Sequence, residues 1–245
     1  MADVERGRGL AGQTVVVIGG SAGIGLETAR LARAEGAQVV LTGRSPEKLG
    51  KAAADVGAQD TAAFDATDPA AMAAFFRGLA AVDHVMITAG APHYGPLLEM
   101  TAAEIRDALS DHLVVGLEAA RNAAPKMPPG GSLVLMGGTG GRRVNRALGI
   151  VSSATAALPP FAATLALEIA PVRVNLIAAG FVDTPLSASL LGEGLDDRRA
   201  ELRATLPIGR VVTPVDVGAL AVHLMINTAL TGATYDIDGG QQFAF

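Results

Sequence analysis

Cysteine is absent from the 245-residue chain, and aromatic residues make up only 4% of it. Without thiols there is no disulfide, no thiolate metal site and no cysteine nucleophile, although the compartment stays open. So few rings argue against a recognition surface built on tyrosine and tryptophan, and favour helices packed closely on a sheet. An excess of basic charge is also missing: 19 Lys and Arg face 24 Asp and Glu, for a net charge of −5. A polyanion partner needs a basic footprint, so nucleic acid is not expected. The four histidines show no metal-ligand spacing. No uninterrupted apolar run is long enough to span a bilayer; residues 154–172 come nearest and are interrupted by Pro159, Pro160 and Glu168. The opening MADVERGRGL carries charges where a secretory signal needs an apolar stretch. These absences lead us to expect a cytoplasmic protein that handles a small molecule, with neither nucleic acid nor membrane as partner.

What is present is an alternation. Half of the residues are hydrophobic and 18% are charged, enough for a large core. QTVVVIGG (13–20), QVVLTG (38–43), TAAFD (61–65), VDHVMITAG (82–90), SLVLMGG (132–138), VRVNLIAAG (172–180) and ATYDIDGG (233–240) read as buried strands. Between them lie helical segments at 23–36, 46–57, 68–78, 101–124, a stretch ending near Ala170, and 214–226. Pro159 and Pro160 predict a kink or a late restart near Leu158. Strands that are apolar throughout, joined by helices, predict a parallel sheet covered on both faces. No linker divides residues 1–245, so one domain is expected. The least regular region, 185–213, is either a mobile flap or a surface connection.

The turn IGGSAGIG (18–25) sits between the first strand and the first helix. Glycines at 19, 23 and 25 let the chain turn tightly, let a phosphate approach the backbone and let helix pack on strand. The free N–H groups and positive end of the helix then face an anion. Gly19 to Gly23 also spell G-x-S-x-G, a nucleophile elbow with Ser21 at its centre. That elbow needs an oxyanion-hole loop from an earlier strand, and this strand is the first. The second strand ends LTGRSPEK, with Arg44 where NAD binding would use an acid. A guanidinium suits a 2′-phosphate, which favours NADP(H) over NAD(H).

Taken together, these segments resemble the short-chain dehydrogenase/reductase family over nearly the whole chain. IGGSAGIG is similar to the family's T-G-x-x-x-G-x-G, with Ile18 for Thr; FDATD (64–68) to the segment whose acid, here Asp65, meets the adenine; ITAG (87–90) to N-N-A-G, with Ala89 and Gly90 kept. PVRVNLIAAGFVDTP (171–185) resembles the run after the sixth strand, with Ala179 for the usual Pro, and PIGRVVTPVDV (207–217) and TGATYDIDGG (231–240) the C-terminal signature. The resemblance implies a Rossmann-type, doubly wound, seven-stranded parallel sheet, hydride transfer, and a homo-oligomer, tetramer or dimer. It carries nucleotide contacts onto Gly19, Ser21, Gly23, Ile24, Gly25, Arg44, Ser45, Asp65, Ala66, Ala89, Gly90, Val182 and Thr184, the last two for the nicotinamide carboxamide. The 185–213 region becomes the expected substrate loop.

The resemblance also implies an Asn-Ser-Tyr-Lys catalytic set, and those positions hold Leu113, Gly138, Val151 and Thr155. Candidates to replace the lost acid are His93 and Tyr94 in APHYG after the fourth strand, with Thr139 in place of the serine. Arg142, Arg143 and Arg146 are candidates to hold an anionic substrate group. Asp111 and His112 read as a helix-surface or interface pair, and His84 and His223 as structural. Two readings stand side by side: an NADP(H)-dependent oxidoreductase with a non-standard proton donor, and a non-catalytic NADP(H)-binding sensor or partner subunit.

Overall fold

TVVVI has apolar side chains at four successive positions, and the structure buries both of its faces. In the computed structural model, which describes residues 9–90, 92–142, 146 and 148–244, this segment is strand β1 (Thr14–Ile18). Val15 and Val17 point into one core, Val16 and Ile18 into another, following the two-residue repeat of a strand. Six more strands join it: β2 (Gln38–Gly43), β3 (Asp60–Ala63), β4 (His84–Ile87), β5 (Ser132–Gly138), β6 (Arg173–Ala179) and β7 (Thr234–Ile237). Among the described residues they form one seven-stranded sheet, all parallel, in the order β3-β2-β1-β4-β5-β6-β7. The expected doubly wound, Rossmann-type architecture is what the chain adopts.

Helices α1 (Gly23–Ala34), α2 (Pro46–Val56) and α9 (Pro214–Ile226) cover one face. Helices α3 (Pro69–Gly78), α5 (Val115–Ala123) and α6 (Gly149–Glu168) cover the other. Local chemistry sets the helix starts. Asp68 caps α3 by accepting from Ala70 N (2.9 Å) and Ala71 N (3.2 Å), with Pro69 in the first turn, as the sequence predicts.

Three expectations change. TAAFD is shifted: β3 covers Asp60–Ala63, and Phe64 and Asp65 follow it, because pairing with β2 ends at Gly43↔Ala63. The long helix at 101–124 is divided into α4 (Ala102–Leu109) and α5 by a π turn, Ser110–Val114, which holds one more residue per turn than an α-helix. Conversely, α6 neither ends nor restarts at Leu158; it runs unbroken through Pro159 and Pro160. The prolines deprive the carbonyls of Thr155 and Ala156 of their usual donors. Burial of Leu158, Ala162 and Leu165 in the second core outweighs that loss, and Pro160 faces solvent. By length and composition α6 could cross a membrane; here nine of its residues are buried within the protein.

Region 185–213 is neither strand nor open loop. It forms α7 (Pro185–Leu191) and α8 (Leu195–Thr205), resting on a small separate cluster of Phe181, Leu202, Leu206 and Val211.

Candidate functional site

The strand order reverses at β1, between neighbours β2 and β4, and the glycine turn lies at that crevice. Gly19 has φ +93°, open to glycine, and its N–H and that of Gly20 both donate to Thr42 O (3.1 and 2.9 Å). A Cβ on Gly25 would lie 2.6 Å from Thr88 Oγ1, and nearer still to Gly19 O. Thr88 clamps the turn by donating to Ile18 O (3.1 Å) and Gly19 O (3.0 Å). Ala22, at the N-cap of α1, supplies no side-chain cap, and the first turn carries no acid. The N–H groups of Gly23, Ile24 and Gly25 therefore meet any anion at the positive end of the helix.

The adenosine side is assembled around the end of β2. Ser21 Oγ comes within 3.3 Å of where a Cβ on Gly43 would stand. Arg44 is exposed beside it, and Ser45 caps α2 by accepting from Lys48 N (3.3 Å). Asp65 accepts from Thr67 N (3.0 Å) and Thr67 Oγ1 (2.8 Å). Those bonds, with a smaller contribution from Arg44, hold its carboxyl below the usual range. Ala66 and Ala89 pack against the second core. An uncapped helix end, backbone too close for side chains and a free-standing guanidinium fit a phosphorylated dinucleotide. Among the described residues no hydrogen bond joins Ser21 to a histidine, so the elbow has no base.

At the opposite end, Val182 bridges Val212, and Thr184 caps α7, accepting from Ser187 N at 3.1 Å. A Cβ on Gly23 would touch Thr184 Cβ at 3.5 Å, so this strip lies against the glycine turn. Gly90, φ +112°, has no room for a side chain, because Asp111 O would be 2.9 Å from its Cβ. The π turn is thereby seated directly on Ala89–Gly90. It also delivers Asp111 to His93, Oδ2 to Nε2 at 3.1 Å, with the side chains 20% and 31% exposed. Asp111 is thus not half of a surface pair with His112, whose Nδ1 donates to Ala108 O (3.0 Å).

His93 and Tyr94 line a cavity of about 240 Å³ with Glu99, Met100 and Glu104. Tyr94 is half exposed overall, and burial of its phenol end pushes its pKa up. Thr139 is buried at the start of a 3₁₀ turn and lines neither this cavity nor a second one, of about 210 Å³, at Gly138, Thr155 and Pro159. The three predicted catalytic residues are therefore not gathered into one cavity. Thr155 Oγ1 donates to Val151 O (2.7 Å), Ser152 Oγ to Gly140 O (2.9 Å), and Leu113 packs on the second core. Arg142 pairs with Asp236 and Gln242 Oε1 instead of standing free; Arg146 is exposed, and Arg143 lies outside the described residues. His84 is buried, its Nε2 on Gln13 Oε1 (2.6 Å) and Nδ1 on Ser132 Oγ (2.8 Å); burial lowers its pKa to about 4. His223 sits in the last turn of α9 beside Asn227.

Residues 19–242 match the family model described as enoyl-(acyl carrier protein) reductase. The chain belongs to the short-chain dehydrogenase/reductase family. Its relatives include the NADP-dependent (R)-specific alcohol dehydrogenase of Lentilactobacillus kefiri, 30% identical across 94% of this chain and 97% of that one. Carbonyl reductase family member 4 of Xenopus tropicalis is 29% identical across 92% and 96%. The crystal structure of BdcA in complex with NADPH superposes with a TM-score of 0.85 at 28% identity, covering 95% of both chains. This short-chain dehydrogenase/reductase is therefore akin to oxidoreductases.

Sequence reasoning missed Thr88 and the pairing of Asp111 with His93. Thr88 was legible as a hydroxyl replacing the second Asn of N-N-A-G. Asp111 was not, since a π turn changes which residues of a helix face the site.

Proposed function

We propose that this short-chain dehydrogenase/reductase transfers hydride between NADP(H) and a carbonyl, imine or alcohol carbon, using a proton donor other than the family's tyrosine. The observation that carries the reading is the backbone-built glycine turn at the uncapped start of α1, with Arg44 exposed beside it. Gly19, Gly23, Ile24 and Gly25 would take the pyrophosphate, Ser21, Arg44 and Ser45 the 2′-phosphate, and Asp65 and Ala66 the adenosine. Ala89, Gly90, Val182 and Thr184 would hold the nicotinamide half. A relative named for NADP dependence and a neighbour bound to NADPH support the choice of nucleotide.

When bound, the nicotinamide supplies or accepts the hydride. For reduction the chain must then deliver a proton to the substrate oxygen or nitrogen. His93, whose Nε2 lies 3.1 Å from Asp111 Oδ2, would donate that proton to the substrate from Nδ1. Asp111 orients the ring and stabilises its charge, as a carboxylate does for a catalytic imidazole. Tyr94 would be the second donor, although burial raises its pKa and makes it the weaker acid.

One observation favours the alternative, a nucleotide-binding protein without turnover: the family's four catalytic positions hold Leu113, Gly138, Val151 and Thr155, and the last two are buried. Titration with NADPH, followed by absorbance at 340 nm against ketones, quinones, imines and enones, separates the two. We expect saturable uptake and turnover with at least one class. His93→Ala should reduce turnover about 10²- to 10³-fold while leaving NADPH affinity in place. Uptake without turnover on any class selects the alternative. No uptake of either pyridine nucleotide refutes both.

A further inference from the structure

Asp183 stands between Val182 and Thr184, the strip to which the proposed reading gives the carboxamide. Its amide donates to Val212 O (3.0 Å). Its carboxylate is gripped by both prongs of Arg199 from α8: Nε to Oδ2 at 2.9 Å and Nη2 to Oδ1 at 2.8 Å. Both side chains are less than one-third exposed. The same guanidinium donates Nη1 to Asp196 Oδ1 (2.9 Å), but Asp196 is 89% exposed and lies one turn away on the same helix. Solvent screens that second contact, so the fork on Asp183 is the one that joins separate parts of the fold.

The cover made by α7 and α8 has few other attachments. Its apolar footing, Phe181, Leu202, Leu206 and Val211, is separate from both main cores. α7 leaves Leu186, Leu190 and Leu191 exposed. Between the helices, Gly192 has φ +52°, a conformation open to glycine, and no atom lies within 4 Å of its Cβ position. The two helices are thus fastened to the strip at one end by the Thr184 cap and at the other by Arg199.

We infer that Arg199 is a positioning residue for the nicotinamide subsite. Its fork on Asp183 makes the seating of α8 and the setting of the Val182–Thr184 strip a single equilibrium. A planar guanidinium fixes a carboxylate in orientation as well as distance, which a lone ammonium does not. A nucleotide that needs the strip in this setting binds molecules whose cover is seated, and by linkage its binding seats the cover. The inference rests on the reading of this strip as the carboxamide grip.

The test pairs NADPH calorimetry with amide hydrogen exchange across residues 195–205, on the wild type, Arg199→Met, Asp183→Asn and the double variant. In the wild type, NADPH should slow exchange across α8. Arg199→Met should weaken NADPH roughly tenfold and abolish that protection, and the double variant should lose no more than the worse single change. Arg199→Lys should recover part of the affinity. Asp196→Asn and Arg198→Ala should stay within about twofold of wild type. If Arg199→Met does not fold, Arg199→Lys carries the same readouts with a loss of about threefold. Wild-type affinity in the folded Arg199 variant, or additive losses in the double variant, overturns the inference while the nucleotide reading stands. A wild type that takes up no nucleotide overturns that reading and this inference with it.

Discussion

At the phosphate end of the cleft a Cβ on Gly25 would stand 2.6 Å from Thr88 Oγ1, whereas at the opposite end a Cβ on Gly138 would meet its nearest neighbours, Ala179 O and Thr155 Cγ2, at 3.5 Å. Gly25 is demanded by its surroundings; Gly138 is merely what occupies its position. The first region works through backbone, and backbone contacts tolerate almost no change. The second works through side chains, which a fold leaves free to vary where space permits. A chain can therefore keep a dinucleotide grip while its proton chemistry is rewritten.

The comparison can be broken at its strongest point. Gly25→Val forces a branched side chain against backbone and should cost at least about 4 kcal/mol, which unfolds the protein or abolishes NADPH uptake. Denaturant titration and calorimetry read this, and a folded variant with wild-type affinity would refute the steric argument. The pH at which such stabilities are compared matters next. His84 is neutral in the folded state, with a pKa near 4 against an ordinary 6.5. The unfolded chain binds the extra proton between those values, so stability falls as pH drops from about 6.5 to 4 and is flat in this group below that, a loss of about 3 kcal/mol. His84→Gln should remove this part of the slope in urea melts at pH 7 and pH 5.

Arg44→Asp sharpens the comparison from the nucleotide's side. It should weaken NADPH roughly 10- to 100-fold and leave NADH nearly untouched, because only the former has the 2′-phosphate. Equal losses for both nucleotides would place the 2′-phosphate elsewhere. The smallest effect belongs to Gly138→Ser, whose Cβ would meet only ordinary contacts and which should move stability by no more than about 1 kcal/mol. A loss comparable to that of Gly25→Val would erase the difference between the two ends.

The strands were legible because their apolar runs are bounded by glycine and proline, and the glycine turn because its glycines fall between a strand and a helix. The caps at Asp68 and the Pro69 start of α3 were legible for the same local reason. Features that depend on competition between local and distant forces were not. Pro159 and Pro160 argue for a late restart, yet α6 runs continuously through them, with Leu158, Ala162 and Leu165 buried in a core assembled from residues far away in the chain. The division of 101–124 by a π turn leaves no mark in composition or period, and with it went the facing of Asp111 toward His93.

Sequence by itself determined the order of strands and helices, the sheet they imply, and the presence of a glycine turn at a helix start, with a guanidinium after the second strand, since these depend on residues adjacent in the chain. Tertiary structure decided which side chains meet at the far end of the cleft: Asp111 with His93, Arg199 with Asp183, Arg142 with Asp236. Each pair joins elements that come within hydrogen-bond range only in the folded protein, and no local rule of propensity or spacing encodes that distance.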